Sequence, residues 1–561
     1  MRGSLRGMSE HIERHRKVIH SQEQPVHSQH TQPANSWRDD GHRGRGFDLA
    51  RAALEEMHEA GFRPEFGAGV AEQLAGIEAR FAAVQPTAGV EDLRALGWSS
   101  IDNDTSTDLD QIEVAERSGS SNGGGIRLRV AVGDVATAVD DGSPIDKHAQ
   151  AQTQTIYTAV RNFPMLPLEL STGLTSLNEN GDRRAVMLSF TVGADGAMSD
   201  ESVSLALVRN RAQLAYSRVG PWLENTAAGM VDDDVASLRS DSAREHDATL
   251  EEDATGALSS NWLVEQLKLQ DEAAQALHEE RVKNGALEFH RAESDPVVMD
   301  GRVIAVHEVI QNRAMNLIED LMVAANGVMA RALRRGGRSG LQRVVRIPAR
   351  WDRIVALAAQ HGTTLPVEPN SLELNKFLQE KRRTDSIHYP DLAVAVIKLM
   401  GPGEYILMRP GDDPTGHFGL AARDYTHSTA PNRRFPDLVT QRVLHAMMRG
   451  EPAPYSDMEL AAIALHCNEA DTALRKIERH MQKRVAAVAM AGRIGEVFPG
   501  VVTGSSDKGV YVRVIQPPFE GRVIQGEAGL DVGDRVNVKL IHTDPERAFI
   551  DFAKVSLRPV S

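Results

Sequence analysis

The segment Ile101–Gln111, IDNDTSTDLDQ, holds four aspartates, Asp102, Asp104, Asp108 and Asp110, within nine positions. Carboxylates crowded this closely repel one another unless something positive sits among them. A donor set made only of oxygen suits a hard divalent cation, Mg²⁺ or Mn²⁺. An EF-hand calcium loop, which needs glycine at its sixth position and a helix on either side, does not fit. The alternative is a solvated turn rich in Asp and Asn.

Three further groups carry chemistry. In HFGLAARDYTHSTAPNRRFPDLVTQRVLHAMM, residues 417–448, Pro431 and Pro436 bracket Arg433 and Arg434 just before an amphipathic helix. Guanidiniums fixed at such a turn can grip a phosphate with two hydrogen bonds each, or they can form surface ion pairs. Asn312, Glu319 and Asn326 recur every seven residues and so share one face of an otherwise apolar helix. That face meets either core partners or a ligand. Eight arginines fall between Arg331 and Arg353 against one acid, Asp352, which suits either a polyanion or a solvated face.

These residues need a scaffold to hold them. The aspartate segment follows apolar ALGWSSI and precedes IEVAE, so it is expected as a loop or irregular strand feeding a strand. IRLRVAVGDVATAV alternates as a strand does, and AVMLSFTVGADGAMSDESVSLALV reads as a hairpin turning at Asp195-Gly196. Helical spacing is predicted over 261–284, 307–335, 350–362, 371–380 and 435–449, with a long helix over 457–492. The last 65 or so residues read as five short strands with Gly and Asp turns, the strand count of an OB-fold barrel. Residues 1–46 are polar and read as a disordered tail. Residues 47–90 read as a short helical lead-in, and 224–260 as a solvated insertion or a loosely held helix.

The whole chain sets bounds on these readings. It has 561 residues, 41% hydrophobic and 25% charged, with a formal net charge of −15. That length suggests two to four domains. The acidic balance argues against non-specific nucleic-acid binding, so any contact with a polyanion must come from local clusters. A single cysteine, Cys467, excludes an internal disulfide and fits a reducing cytoplasm. No apolar run approaches the roughly 18–20 residues that span a bilayer, and the first twenty residues lack the apolar middle of a signal peptide. A soluble, cytoplasmic monomer is expected.

Taken together, the motifs resemble the ribonuclease II/ribonuclease R (RNB) exoribonucleases. IDNDTSTDLDQ looks like that family's acidic metal-binding motif, and YTHSTAPNRRFPD its basic-pair motif. FPMLPLELSTGLTSLNEN and NLIEDLMVAAN match two more blocks in the family's order. The resemblance implies an α+β fold: a mixed catalytic domain over 91–455 with strands and then helices around an RNA channel, a connecting helix over 456–492, and a small all-β OB-fold over 493–556. It also implies 3′-to-5′ hydrolysis of single-stranded RNA to nucleoside 5′-monophosphates, assisted by two Mg²⁺ or Mn²⁺ ions. Asp102, Asp108 and Asp110 would then be metal ligands, with Asp110 the aspartate on which catalysis most depends. Arg433 would contact the reacting phosphate beside Arg434. Tyr157 would stack on the terminal base, and Glu319 would lie near the last nucleotides. Tyr511 and Arg513 of the OB-fold, together with the arginine run, would help hold the RNA.

There are three departures from the family pattern. Gln111 stands where the family motif has a second adjacent aspartate, which removes a negative charge from the site. Ala430 replaces a common serine. The roughly 90 residues before the motif do not read as the paired cold-shock folds usual at the N-terminus. The sequence therefore leaves open an RNA-binding protein without catalysis, or a nuclease for another single strand.

Overall fold

Strand alternation builds the framework around the aspartate segment. The computed structural model describes residues 47–81, 89–119, 124–227, 235–246, 261–289, 293–299, 302–506, 509–517 and 519–555. The predicted tail and most of the predicted insertion lie outside the described residues. The helices Leu49–Glu59 and Val70–Phe81 come first. They are followed by β1 (Val90–Asp92), β2 (Trp98–Asp102), β3 (Gln111–Arg117), β4 (Ile126–Gly133), the short pair β5 (Ile156–Tyr157) and β6 (Asn162–Phe163), then β7 (Asp182–Val192) and the 18-residue β8 (Met198–Ala215).

The main sheet runs β1-β8-β2-β3-β4-β7, and β7 pairs again with β8. Strands β8, β2, β3, β4 and β7 therefore close on themselves. One side gathers Trp98, Leu109, Ile112, Val114, Ala131, Met187 and Val208 in a buried cluster. The other carries Ile101, Leu128, Val130 and Val132 into the main core, which also takes in residues of the helices Trp262–Lys283 and Arg313–Arg335. The β7–β8 hairpin turns where expected, with the Gly193 N–H donating to the Ala197 carbonyl and Gly196 at φ +81°.

Two expectations about helices need correction. The helix predicted from residue 307 starts at Arg313, because β10 (Arg302–Val309) pairs antiparallel with β9 (Glu293–Met299) as a two-stranded ribbon. Asn312 caps the helix, its side chain accepting from the Ala314 and Met315 N–H groups. The helix Tyr389–Met400 was not anticipated.

Strands β11 (Gly340–Val344) and β12 (Glu404–Met408) form a second ribbon. A 34-residue helix, Asp457–Met490, opens with a capping box of Ser456 and Glu459. After it, β13 (Val497–Ser506), β14 (Gly509–Val514), β15 (Phe519–Gln525), β16 (Arg535–Asp544) and β17 (Phe549–Val555) close into a barrel in the order β13-β14-β15-β17-β16. The architecture is α+β, ending in a small all-β barrel. No helix among the described residues is long and apolar enough to cross a membrane.

Candidate active site

Asp102 ends β2 and Gln111 begins β3, so the aspartate segment is the connection between two paired strands. Asp110 is 2% exposed at the foot of that loop. Its backbone carbonyl accepts from the Gly133 N–H at the end of β4. A Cβ on Gly133 would lie 2.5 Å from the Thr175 carbonyl oxygen, so only glycine permits this approach.

The Asp110 carboxylate accepts from the Asn432 N–H at 3.1 Å and from Arg433 Nε at 2.7 Å. The proline-bounded turn thereby meets the acidic loop across 323 residues of chain. Asn432 is fully buried; its Oδ1 accepts from the Thr175 hydroxyl at 2.6 Å. Sequence reasoning did not single out Asn432, although its place between Pro431 and Arg433 marks it as part of a fixed turn.

The same turn is fastened to the segment that carries Tyr157. Thr155 N–H donates to the Arg433 carbonyl, and Phe435 N–H to that of Thr153. Tyr157 is 45% exposed, and its hydroxyl donates to Asp108. Asp102 receives a hydrogen bond from the Ser100 side chain, while its Oδ2 is buried with no hydrogen-bond partner. Burial, reinforced by the Asp110 charge, pushes the Asp102 carboxyl up to about 7. Burial raises Asp110 to about 6, with Arg433 pulling the other way.

Asp104 is held elsewhere. Ser217 donates to it at 2.7 Å and Arg218 pairs with it at 3.4 Å, so it anchors the outer edge of the loop. Arg434 also turns inward, donating at 2.7 Å to Asp437, a fully buried residue in the first turn of the next helix. Ala430 N–H donates to the same carboxylate.

The remaining expected RNA contacts are not gathered here. Glu319 borders a cleft lined by His278, Arg281, Glu288, Gln311 and Asn316. Arg513 makes two hydrogen bonds to Asp391, at 2.9 and 2.8 Å, joining the barrel to the helix Tyr389–Met400, while Tyr511 shares its strand face. Asn326 is a core residue whose Oδ1 accepts from the Ser428 N–H and hydroxyl. The arginine run is largely paired within the fold. Arg331 and Arg335 share Glu201, Arg334 meets Asp424, Arg343 meets Asp471, and Arg346 meets Glu404.

The sequence reading also missed Glu113 on β3. It is fully buried, both carboxylate oxygens lack a hydrogen-bond partner, and burial followed by the Asp102 charge holds it well above the usual carboxylate range. The donor set of Asp102, Asp108 and Asp110 is chemically suited to Mg²⁺ or Mn²⁺, and the unpartnered Asp102 Oδ2 is the kind of buried oxygen such an ion satisfies. As arranged, however, Asp108 and Asp110 face Tyr157 and Arg433. Among the described residues, no three His, Cys, Asp or Glu side chains are close enough to hold an ion. Loading the site requires these two carboxylates to turn.

Comparison with known proteins identifies relatives of this chain. The RNB domain family model fits residues 90–450, and that of the RNase II-type exonuclease C-terminal S1 domain fits residues 496–555. Ribonuclease R of Escherichia coli (strain K12) is 26% identical over 525 residues, covering 87% of this chain and 60% of that protein. The chain thus spans about three-fifths of the length of that curated relative. Mycoplasma genitalium RNase R, solved in complex with ribose methylated single-stranded RNA, shares the fold at a TM-score of 0.75 and 21% identity, covering 91% of this chain and 78% of that one. Yeast Ssd1, described as a pseudonuclease, shares it at 0.57 and 14% identity, covering 82% and 54%. With well over half of its length matched by one family model, the chain belongs to the RNB domain family.

Proposed function

We propose that the chain is a 3′-to-5′ hydrolytic exoribonuclease that shortens single-stranded RNA to nucleoside 5′-monophosphates. The observation that carries this reading is the meeting of Asp110 with Arg433, beside Asp108 with Tyr157, in one buried-to-exposed gradient. Arg433 uses Nε on Asp110 and keeps 43% of its side chain exposed, so its outer edge can meet a phosphate and offset developing charge there. Tyr157 presents a ring on which a base can stack without sequence being read. A pair of Mg²⁺ or Mn²⁺ ions would supply an activated water and stabilise the departing 3′-oxygen. Asp102, Asp108 and Asp110 would hold them. The buried, lone Cys467 supports a reducing cytoplasm as the site of action, and a monomer is the working state.

The test is incubation with 5′-labelled poly(A) and Mg²⁺ or Mn²⁺. Progressive shortening supports the exonuclease. Intact RNA that stays bound supports a binding module, the reading that Gln111 would permit. Degradation of single-stranded DNA alone would point to a different substrate.

Two further outcomes follow. Asp102 and Asp110 must lose their protons to hold a cation, and their carboxyls lie at about 7 and about 6. The Mg²⁺ concentration for half-maximal shortening should therefore fall by about tenfold between pH 6 and pH 8. A pH-independent requirement would contradict this. Tyr157→Ala should weaken poly(A) binding by about tenfold in fluorescence anisotropy, and Tyr157→Phe by much less, because stacking needs the ring and not the hydroxyl.

A further inference from the structure

The block FPMLPLELSTGLTSLNEN, residues 163–180, supplies no side chain to the chemistry proposed above. Its Thr175, Ser176 and Leu177 are nevertheless all buried. The Thr175 hydroxyl donates to Asn432 Oδ1 at 2.6 Å, and the Thr175 carbonyl oxygen stands against Gly133. Leu177 N–H donates to the Leu109 carbonyl at 2.9 Å, and both leucine side chains enter one apolar cluster. The acidic loop, the end of β4 and the proline-bounded turn are remote from one another in the chain. They meet on three consecutive residues.

The middle one of the three holds the loop itself. Ser176 Oγ accepts from the Leu109 N–H at 2.9 Å and donates to the Thr107 carbonyl at 2.9 Å. A hydroxyl has one proton, and here it is shared with Asn178 Oδ1 at 2.8 Å. One oxygen atom therefore grips the backbone on both sides of Asp108. Ser176 is fully buried, so water does not stand in for these bonds if the hydroxyl is lost. The loop needs such a grip, because neighbouring carboxylates repel and would spread an unsupported segment. The grip falls on C=O and N–H groups only, so the carboxylates stay free to turn, as loading a cation requires.

We infer that Ser176 is a positioning residue of the candidate active site. Through the Thr107 carbonyl and the Leu109 N–H it fixes where the loop presents the Asp108 and Asp110 carboxylates. The consequence for cation binding rests on the reading of Asp102, Asp108 and Asp110 as ligands; the contact with the backbone does not.

The test is hydrogen exchange of the full chain read by mass spectrometry, beside Mn²⁺ binding without RNA read by electron paramagnetic resonance. In Ser176→Ala, exchange over residues 103–110 should quicken by about tenfold or more. Mn²⁺ binding should weaken by about tenfold. Val114→Ala, a truncation in the cluster that holds Leu109 and Leu177, should lower Tm yet leave both readings within about twofold of the parent. A general loss of stability is thereby told apart from a displaced loop. Should Ser176→Ala fail to fold, Ser176→Cys is read in the same way, because a thiol fills the place but bonds weakly. Unchanged exchange over 103–110 overturns the inference, as does faster exchange with Mn²⁺ binding within about twofold of the parent. A parent that binds no Mn²⁺, with a loop freed in Ser176→Ala, refutes the cation reading and keeps Ser176 as the anchor. Mn²⁺ bound equally by parent and variant, with exchange unchanged, does the reverse.

Discussion

Asp110→Asn should abolish the shortening of 5′-labelled poly(A), slowing it by about three orders of magnitude or more while RNA binding stays within a few-fold. The substitution keeps size and shape but leaves one oxygen for two donors, the Asn432 N–H on Oδ1 and Arg433 Nε on Oδ2, so one of them faces an NH2 group. What it removes is a full negative charge at the residue that joins the loop to the arginine turn. An amide is a poor substitute for a carboxylate toward a hard cation. Retained binding separates this loss from misfolding, and gel analysis beside anisotropy reads both. Wild-type shortening by the variant would remove Asp110 from the mechanism.

The second large effect is expected at Arg433. Arg433→Ala should lower kcat by about two to three orders of magnitude, because it removes both the partner of Asp110 and the guanidinium edge offered to a phosphate. Arg433→Lys should recover little, since an ammonium cannot hold Asp110 through Nε while presenting a planar edge outward. Stability should suffer as well. An unpaired buried Asp110 costs about 3 kcal/mol, at the low end for broken buried pairs because Arg433 is partly open to water. The sign with pH is fixed by Asp110 itself. Its carboxyl is already raised, and losing Arg433 raises it further, so the folded state holds a proton that the unfolded state releases at lower pH. The Tm difference between Arg433→Ala and its parent should therefore be small at pH 5 and widen toward pH 8. A constant difference would show that Asp110 does not depend on Arg433.

Much of this site was legible in the chain because two short segments state their chemistry locally. Four acids in nine residues need a counter-charge, and two prolines around two arginines fix a turn. The structure brings Asp110 of the one against Arg433 of the other. Glu113 was not legible, because EVAER after a polar loop reads as an ordinary alternating strand. Its burial comes from the helix Trp262–Lys283 laid over β3, a contact over some 150 residues. The arginine run misled for the same reason in reverse. Its acids, Glu201, Asp424 and Asp471, lie far off in sequence, so a cluster that looks like an open positive patch is neutralised inside the fold. The β9–β10 ribbon was hidden by an apolar stretch that runs straight into a helix, and only the Asn312 cap marks the join.

The long span between Asp110 and Arg433 bears on how such a protein is made. Synthesis runs from the N-terminus, so the acidic loop emerges hundreds of residues before the turn that completes it. Until Asn432 and Arg433 arrive, the Asp110 carboxylate lacks the two donors it has in the folded chain. A growing chain therefore carries the acidic loop long before its partner turn, and the site is assembled only when the two ends of the domain have closed.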